Sequence, residues 1–230
     1  MKIIEFLRNS FRVKRSIKKE AVDKLISVST PDGEFLILLL LSVLIITVGL
    51  VLDNIFLVIG GMMVTPLLYP VLATGLGIAI TDWKLLNRSL GGFTFSCLVA
   101  IVSSFLLARF FFAVTEISTS MINSIEPRPA YFVIAILAGV AATITWVRPN
   151  LSAALPGVGV TATLVPPLAT AGISLALADW VFLRSSLALF GLSFIGIVIP
   201  SAAIFFWLKF EEVEKQVEES IEEEQKRLEG

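Results

Sequence analysis

The stretch Gly60–Leu90, GGMMVTPLLYPVLATGLGIAITDWKLLNRSL, decides the fold, because most of it returns as Gly157–Leu187, GVGVTATLVPPLATAGISLALADWVFLRSSL. Laying one copy on the other pairs Gly60 with Gly157, Leu67 with Leu164, Pro70 with Pro167, Gly75 with Gly172, Asp82 with Asp179 and Trp83 with Trp180, always at the same offset. The register continues downstream, where Phe93 meets Phe190 and Ser96 meets Ser193. Upstream, Phe35, Ile37, Leu40 and Val43 meet Phe132, Ile134, Leu137 and Val140. Two equal units make up most of the chain, and a self-match of fixed period sets the architecture before any single motif does.

Composition sets the class. Of 230 residues, 56% are hydrophobic and 16% charged, with a mean hydropathy of +0.90, against about 25% charged in a soluble domain. Apolar side chains in such excess must face lipid. The single Cys97 excludes an intrachain disulfide. The absence of histidine removes the usual proton carrier near neutral pH and the commonest ligand for zinc, copper or iron.

Each apolar run can be tested against the roughly 20 residues that cross a bilayer as helix. In order they are 35–52, 55–80 (interrupted by Pro66 and Pro70), about 85–108, 131–147, 151–178 (interrupted by Pro156, Pro166 and Pro167) and 181–208. Three spans per unit place the second unit upside down relative to the first, the inverted-repeat plan of many secondary transporters. Were the proline-broken segments re-entrant hairpins, each unit would have two spans and the repeats would be parallel. The expected fold is all-α: a polytopic membrane protein of six transmembrane helices, two inverted three-helix repeats with proline-broken second and fifth helices. Residues 31–208 form the membrane domain, repeat one about 35–112 and repeat two about 131–208.

The two ends differ in charge. Residues 1–30 carry Lys2, Arg8, Arg12, Lys14, Arg15, Lys18, Lys19 and Lys24 against Glu5, Glu20 and Asp23, with apolar residues at roughly helical spacing. They read as a basic amphipathic helix on an anionic leaflet, or as a solvated helix that sets orientation. Residues 209–230 read as an acidic cytoplasmic helix, solvated or else paired with another subunit or with the basic helix. The positive-inside rule keeps the N-terminus cytoplasmic, and six spans return the C-terminus to the same side. A multi-pass protein of the cell membrane is expected.

GGMMVTPLLYPVLATGLGIAITDW followed by LPGVGVTATLVPPLATAGISLALADW resembles the prokaryotic membrane family known as domain of unknown function 389, whose members carry similar paired proline, glycine and Asp-Trp blocks. The resemblance spans about 35–208, with Thr65 where the family pattern has serine. It implies a multi-span integral membrane protein and brings no activity with it.

Each proline lacks an N–H and clashes with the carbonyl one turn back, so a helix should break at Val64–Pro70 and again at Pro166–Pro167. Thr65-Pro66 has the form of a cap followed by a first-turn proline; Thr163 serves Pro166 more loosely. New half-helices are expected from near Pro66 to Ile80 and from about Pro166 to Ala178. In an inverted repeat their N-termini, ready anion sites, converge at mid-membrane. The candidate substrate site is Thr65, Pro66, Pro70, Thr74 and Gly75 from one repeat with Thr161, Thr163, Pro166, Pro167, Thr170 and Gly172 from the other. Carbonyls upstream of each break could hold a coupling ion such as Na⁺. The alternative is that the prolines only kink packed helices and the glycines only allow close contact.

Asp82-Trp83 and Asp179-Trp180 lie some 18 Å along a helix from the prolines, so the aspartates read as helix caps and the tryptophans as interfacial anchors. Asp53 and Asn150 read as caps or as gates at opposite mouths. No ionisable residue falls near the middle of a span, which argues against a proton relay, and no HExxH, CxxC or Walker A motif is present. The chain reads as a secondary transporter or channel-like permease for a small polar solute, anions included, and as no enzyme. Its expected partners are the lipid bilayer, a small-molecule solute and a second copy of itself as a homo-oligomer. It needs no nucleic acid, metal or cofactor. A membrane scaffold or signalling subunit working through the charged terminal helices is the rival reading, and lipid scrambling a third.

Overall fold

A computed structural model describes residues 15–111, 129–148, 154–213 and Ile221, with the backbone alone at 154–158, 211 and 212. All described elements are helices: α1 (Arg15–Ser29), α2 (Gly33–Val51), α3 (Ile55–Val64), α4 (Leu68–Ile80), α5 (Trp83–Leu106), α6 (Pro129–Val147), α7 (Ala154–Leu177) and α8 (Trp180–Trp207). A π-helical turn, Leu107–Phe111, prolongs α5, and a 3₁₀ turn, Phe210–Val213, follows α8. Five helices are long and apolar enough to cross a membrane, or six if α3 and α4, bent by 53°, count as one span.

An all-apolar helix does not reveal by composition which side meets protein and which meets lipid; burial does. On α2, Phe35, Leu39, Val43, Ile46 and Leu50 recur every three to four residues and are buried, while Ile37, Leu38, Leu41 and Ile45 point outward. Asp32 starts this helix, its carboxylate accepting from Phe35 N at 2.8 Å.

The corners repeat as the sequence does. After α4, Thr81 sits at φ 59° and Asp82 N reaches back to Gly77 O at 3.0 Å; after α7, Ala178 sits at φ 56° and Asp179 N reaches Ser174 O at 3.0 Å. This left-handed corner closes the last turn. The aspartate then caps the following helix, Asp82 accepting from Lys84 N and Leu85 N and Asp179 from Phe182 N. Trp83 and Trp180 are 70% and 64% exposed, as interfacial anchors would be.

The third helix of each unit packs on the second helix of the other: α8 on α4, and α5 on α7. A Cβ on Gly75 would lie 2.9 Å from Ser201, and one on Gly172 2.7 Å from Ser104 Cβ. Gly75 and Gly172 are repeat counterparts, as are Ser104 and Ser201. Phe93 stacks on its own counterpart Phe190, centroids 5.8 Å apart and planes at 13°.

Helix α1 lies across one end of the bundle. Its Lys18 Nζ donates to Lys209 O after α8 (2.8 Å), Trp146 Nε1 at the end of α6 donates to Ala21 O (3.0 Å), and Arg88 in α5 donates to Thr30 Oγ1 (2.9 Å). The apolar face of α1, Val22, Leu25 and Ile26, is buried in the common core. Over residues 15–29 the apolar stripe is covered by protein, because α4, α6 and the turn Phe210–Val213 offer it a surface. Residues 1–14, Asn150 and nearly all of the acidic tail lie outside the described residues. Ile221 alone of the tail past Val213 is described, buried, with its carbonyl accepting from Arg88 at 3.3 Å.

Candidate functional site

The bend between α3 and α4 follows from Thr65–Leu67. Thr65 precedes a proline, which drives it out of the helical region, and it adopts φ −69°, ψ 135°. Pro66 brings no N–H, so the carbonyl of Met62, four residues back, loses its helical donor. Thr161 Oγ1 of α7 supplies a replacement, donating to Met62 O at 3.0 Å, while Ser42 Oγ of α2 donates to Gly61 O at 2.8 Å. The end of α3 is thus held from both repeats. Its ten residues rise about 15 Å, so the bend falls near the middle of a hydrocarbon layer about 30 Å thick.

Two sequence expectations change here. Thr65 does not cap the second half-helix: α4 begins at Leu68, and its cap position, Leu67, makes no side-chain hydrogen bond. The Thr65 Oγ1 is instead buried with no hydrogen-bond partner. The second break is absent. α7 runs from Ala154 to Leu177 with Pro166 and Pro167 inside it, so one half-helix N-terminus, that of α4, lies within the bundle rather than two converging ones. Consecutive prolines free the adjacent carbonyls of Ala162 and Thr163, a single local defect, whereas Pro66 and Pro70 strip donors from two successive turns. Burial of 164–174, from Leu164 to Ser174, holds the second segment to its path.

The remaining candidates are brought together as buried residues in packed helices. Thr74 Oγ1 donates to Pro70 O (2.8 Å) and Thr163 Oγ1 to Val160 O (2.9 Å), each within its own helix. Thr170 is fully buried, and its carbonyl accepts from Ser174 Oγ at 2.7 Å. Gly75 and Gly172 face Ser201 and Ser104 across helix contacts, the role of small residues between membrane helices. Asp53 occupies the α2–α3 corner at φ 54°, and Asn54 is the cap, its side chain accepting from Phe56 N and Leu57 N.

Sequence reasoning passed over the hydroxyls between helices. Ser104 Oγ donates to Ala169 O at 2.7 Å and accepts from Thr47 Oγ1 at 2.9 Å; its counterpart Ser201 Oγ lies 2.8 Å from Thr143 Oγ1. The signal was available, since the repeat offset pairs the two serines and each faces the other unit's glycine.

The sequence profile of a domain of unknown function, DUF389, matches residues 62–199. An uncharacterized protein of Methanocaldococcus jannaschii, MJ0678, is 27% identical over 209 residues, which are 87% of this chain and 65% of that protein. The chain therefore spans about two thirds of that relative's length. No solved structure matches it. With more than half its length under that profile, and with its helices long and apolar enough to cross a bilayer, the chain is a multi-pass membrane protein that belongs to the domain of unknown function 389 family.

Proposed function

We propose that the chain is a secondary transporter or channel-like permease, and no enzyme, for a small polar solute, anions included, bound at the bend between α3 and α4. The observation that carries this reading is the Thr65 hydroxyl, buried at mid-membrane with no partner, beside the N-terminus of the thirteen-residue α4. An unpaired buried hydroxyl costs about 1–3 kcal/mol, and a helix N-terminus favours negative charge. The second lone pairs of the Gly61 and Met62 carbonyls are the donors for a coupling ion such as Na⁺.

An inverted repeat supports the same reading. Contacts through α1 gather the start of α5 with the ends of α6 and α8 at one face. Thr30 leads into α2 at that face, and α4 ends where α5 begins. So α2 and α6, and likewise α5 and α8, run in opposite directions although each pair is one repeat position. The basic residues of α1 support a cytoplasmic position for that face. The scaffold reading is disfavoured, since the apolar stripe of α1 is already used inside the bundle.

The test joins topology to flux. In a Cys97-free background, single cysteines at Lys84 and Arg184 should label from opposite sides. Proteoliposomes should then take up one of chloride, phosphate, sulfate or acetate, with uptake lost in Thr65→Val. Labelling from one side, or equal uptake by the variant, overturns the proposal.

A further inference from the structure

Near-symmetry makes one departure from symmetry informative. A cleft of about 510 Å³ opens between the last turns of α4 and α8, lined by Ile78, Ala79, Ile80, Thr81, Ala202, Ala203 and Phe206. Its volume lies within the roughly 300–1,000 Å³ of ligand sites. In the other half of the molecule the counterparts of Ala202 and Ala203 are Phe105 and Leu106. Two alanines therefore stand where the first repeat carries bulk.

We infer that this cleft holds one acyl chain of a bilayer glycerophospholipid, with the lipid phosphate between Lys84 and Lys209. Ile78 and Phe206 are 47% and 62% exposed, the first on the second half of the bent apolar pair α3–α4 and the second on α8, which has the length and hydropathy of a span, so the cleft opens toward lipid. The cleft lies along the last turns of both helices, where a span passes from tails to headgroups, and Trp83 and Trp207 follow its lining residues in sequence. The two lysines follow Thr81 and Phe206 by three residues each and are exposed. Their charge suits a lipid phosphate at that end of the bundle. Four of the helix-end carbonyls are engaged by backbone donors: Gly77 O accepts from Asp82 N, Ile78 O from Thr81 N, Ile204 O from Leu208 N and Phe206 O from Lys209 N. Among the described residues Asp82 is an acidic neighbour, and its carboxylate accepts from the α5 amides. The lipid comes from the leaflet on the α1 side only. This inference stands whether or not the bundle transports a solute.

The full chain is reconstituted in vesicles of equal parts phosphatidylglycerol and phosphatidylethanolamine, extracted in mild detergent and weighed intact by native mass spectrometry. One phospholipid per chain is expected on the wild type. The double variant Ala202→Phe, Ala203→Leu, which copies the first repeat into the second, should retain at least tenfold less, with Ile37→Ala, an exposed position on α2 outside the cleft, retaining lipid as the wild type does. A phosphatidylcholine carrying a photoactivatable acyl chain should label peptides spanning 78–81 and 202–206 in the wild type, a readout independent of how the variants fold. Absence of retained lipid, equal retention by the double variant, or label spread evenly over α2 and α6 overturns the inference. So does a disulfide-linked dimer formed through Ala203→Cys in a Cys97-free chain, which would make the cleft a contact between copies.

Discussion

The two proline segments are the same repeat position folded two ways. In the first repeat the helix stops at Val64, turns by 53° and restarts at Leu68; in the second it passes through Pro166 and Pro167 without stopping. The unbroken segment carries more prolines, Pro156 in its first turn besides Pro166 and Pro167, so number does not decide. Spacing does, since prolines four apart disable successive turns and adjacent ones disable a single turn. Surroundings reinforce it: 78% of the span Gly159–Leu177 is buried, against 28% to 44% for the other straight spans. A helix enclosed on all sides has nowhere to bend to.

The comparison breaks most visibly at the two glycines. In Gly172→Ala the new methyl meets the Ile101 carbonyl oxygen at 2.5 Å, a backbone atom that cannot step aside; in Gly75→Ala it meets the Ser201 side chain at 2.9 Å. Overpacking costs about 1–3 kcal/mol, so Gly172→Ala should cost about 3 kcal/mol and Gly75→Ala nearer 1. Thermal unfolding in detergent checks the order, and equal losses would mean that the two contacts are equally compliant.

Next in size is the tie between repeats. Thr161→Val removes the donor to Met62 O and leaves a buried carbonyl without its replacement partner, worth about 1–3 kcal/mol. Cysteine accessibility at Met63 should rise in the variant if the bend is held by this bond, and stay unchanged if packing alone holds it.

The smallest effect is a difference of sign. Thr163→Val deletes a made hydrogen bond to Val160 O and should cost about 1 kcal/mol, whereas Thr65→Val deletes a hydroxyl with no partner and should gain about 1 kcal/mol. A stabilised Thr65→Val protein that no longer moves solute would mark the hydroxyl as kept for function rather than for folding.

The repeat, the helical class, the spans and the Asp-Trp corners were legible because each rests on local chemistry: an apolar run, a left-handed corner, a carboxylate three residues before a free amide. The fate of each proline was not. Thr65-Pro66 has the local form of an N-cap, yet the residue before a proline is extended here and α4 starts two residues later. Pro166-Pro167 has the local form of a break, yet α5, α6 and α8 enclose that helix. Asp53 read as a cap or a gate, yet the corner gives it the positive φ and Asn54 is the cap. Local preference is a weak vote once tertiary contacts surround a segment. Likewise nothing in a uniformly apolar stretch distinguished lipid from protein, so the role of Ser104 and Ser201 emerged only from packing.

Phe93 and Phe190 stack face to face, and a residue can touch its own repeat copy only where the axis relating the copies passes. In the proposed transporter, where one repeat would tilt against the other about such an axis, displacement would grow with distance from it and be least at this pair. Flat rings at 13° slide over one another without parting, and a third ring, Phe194, lies against Phe93 at 4.6 Å. The two repeats thus meet at this point through aromatic faces, while their directional bonds, such as Thr161 to Met62 O and Ser104 to Ala169 O, lie elsewhere.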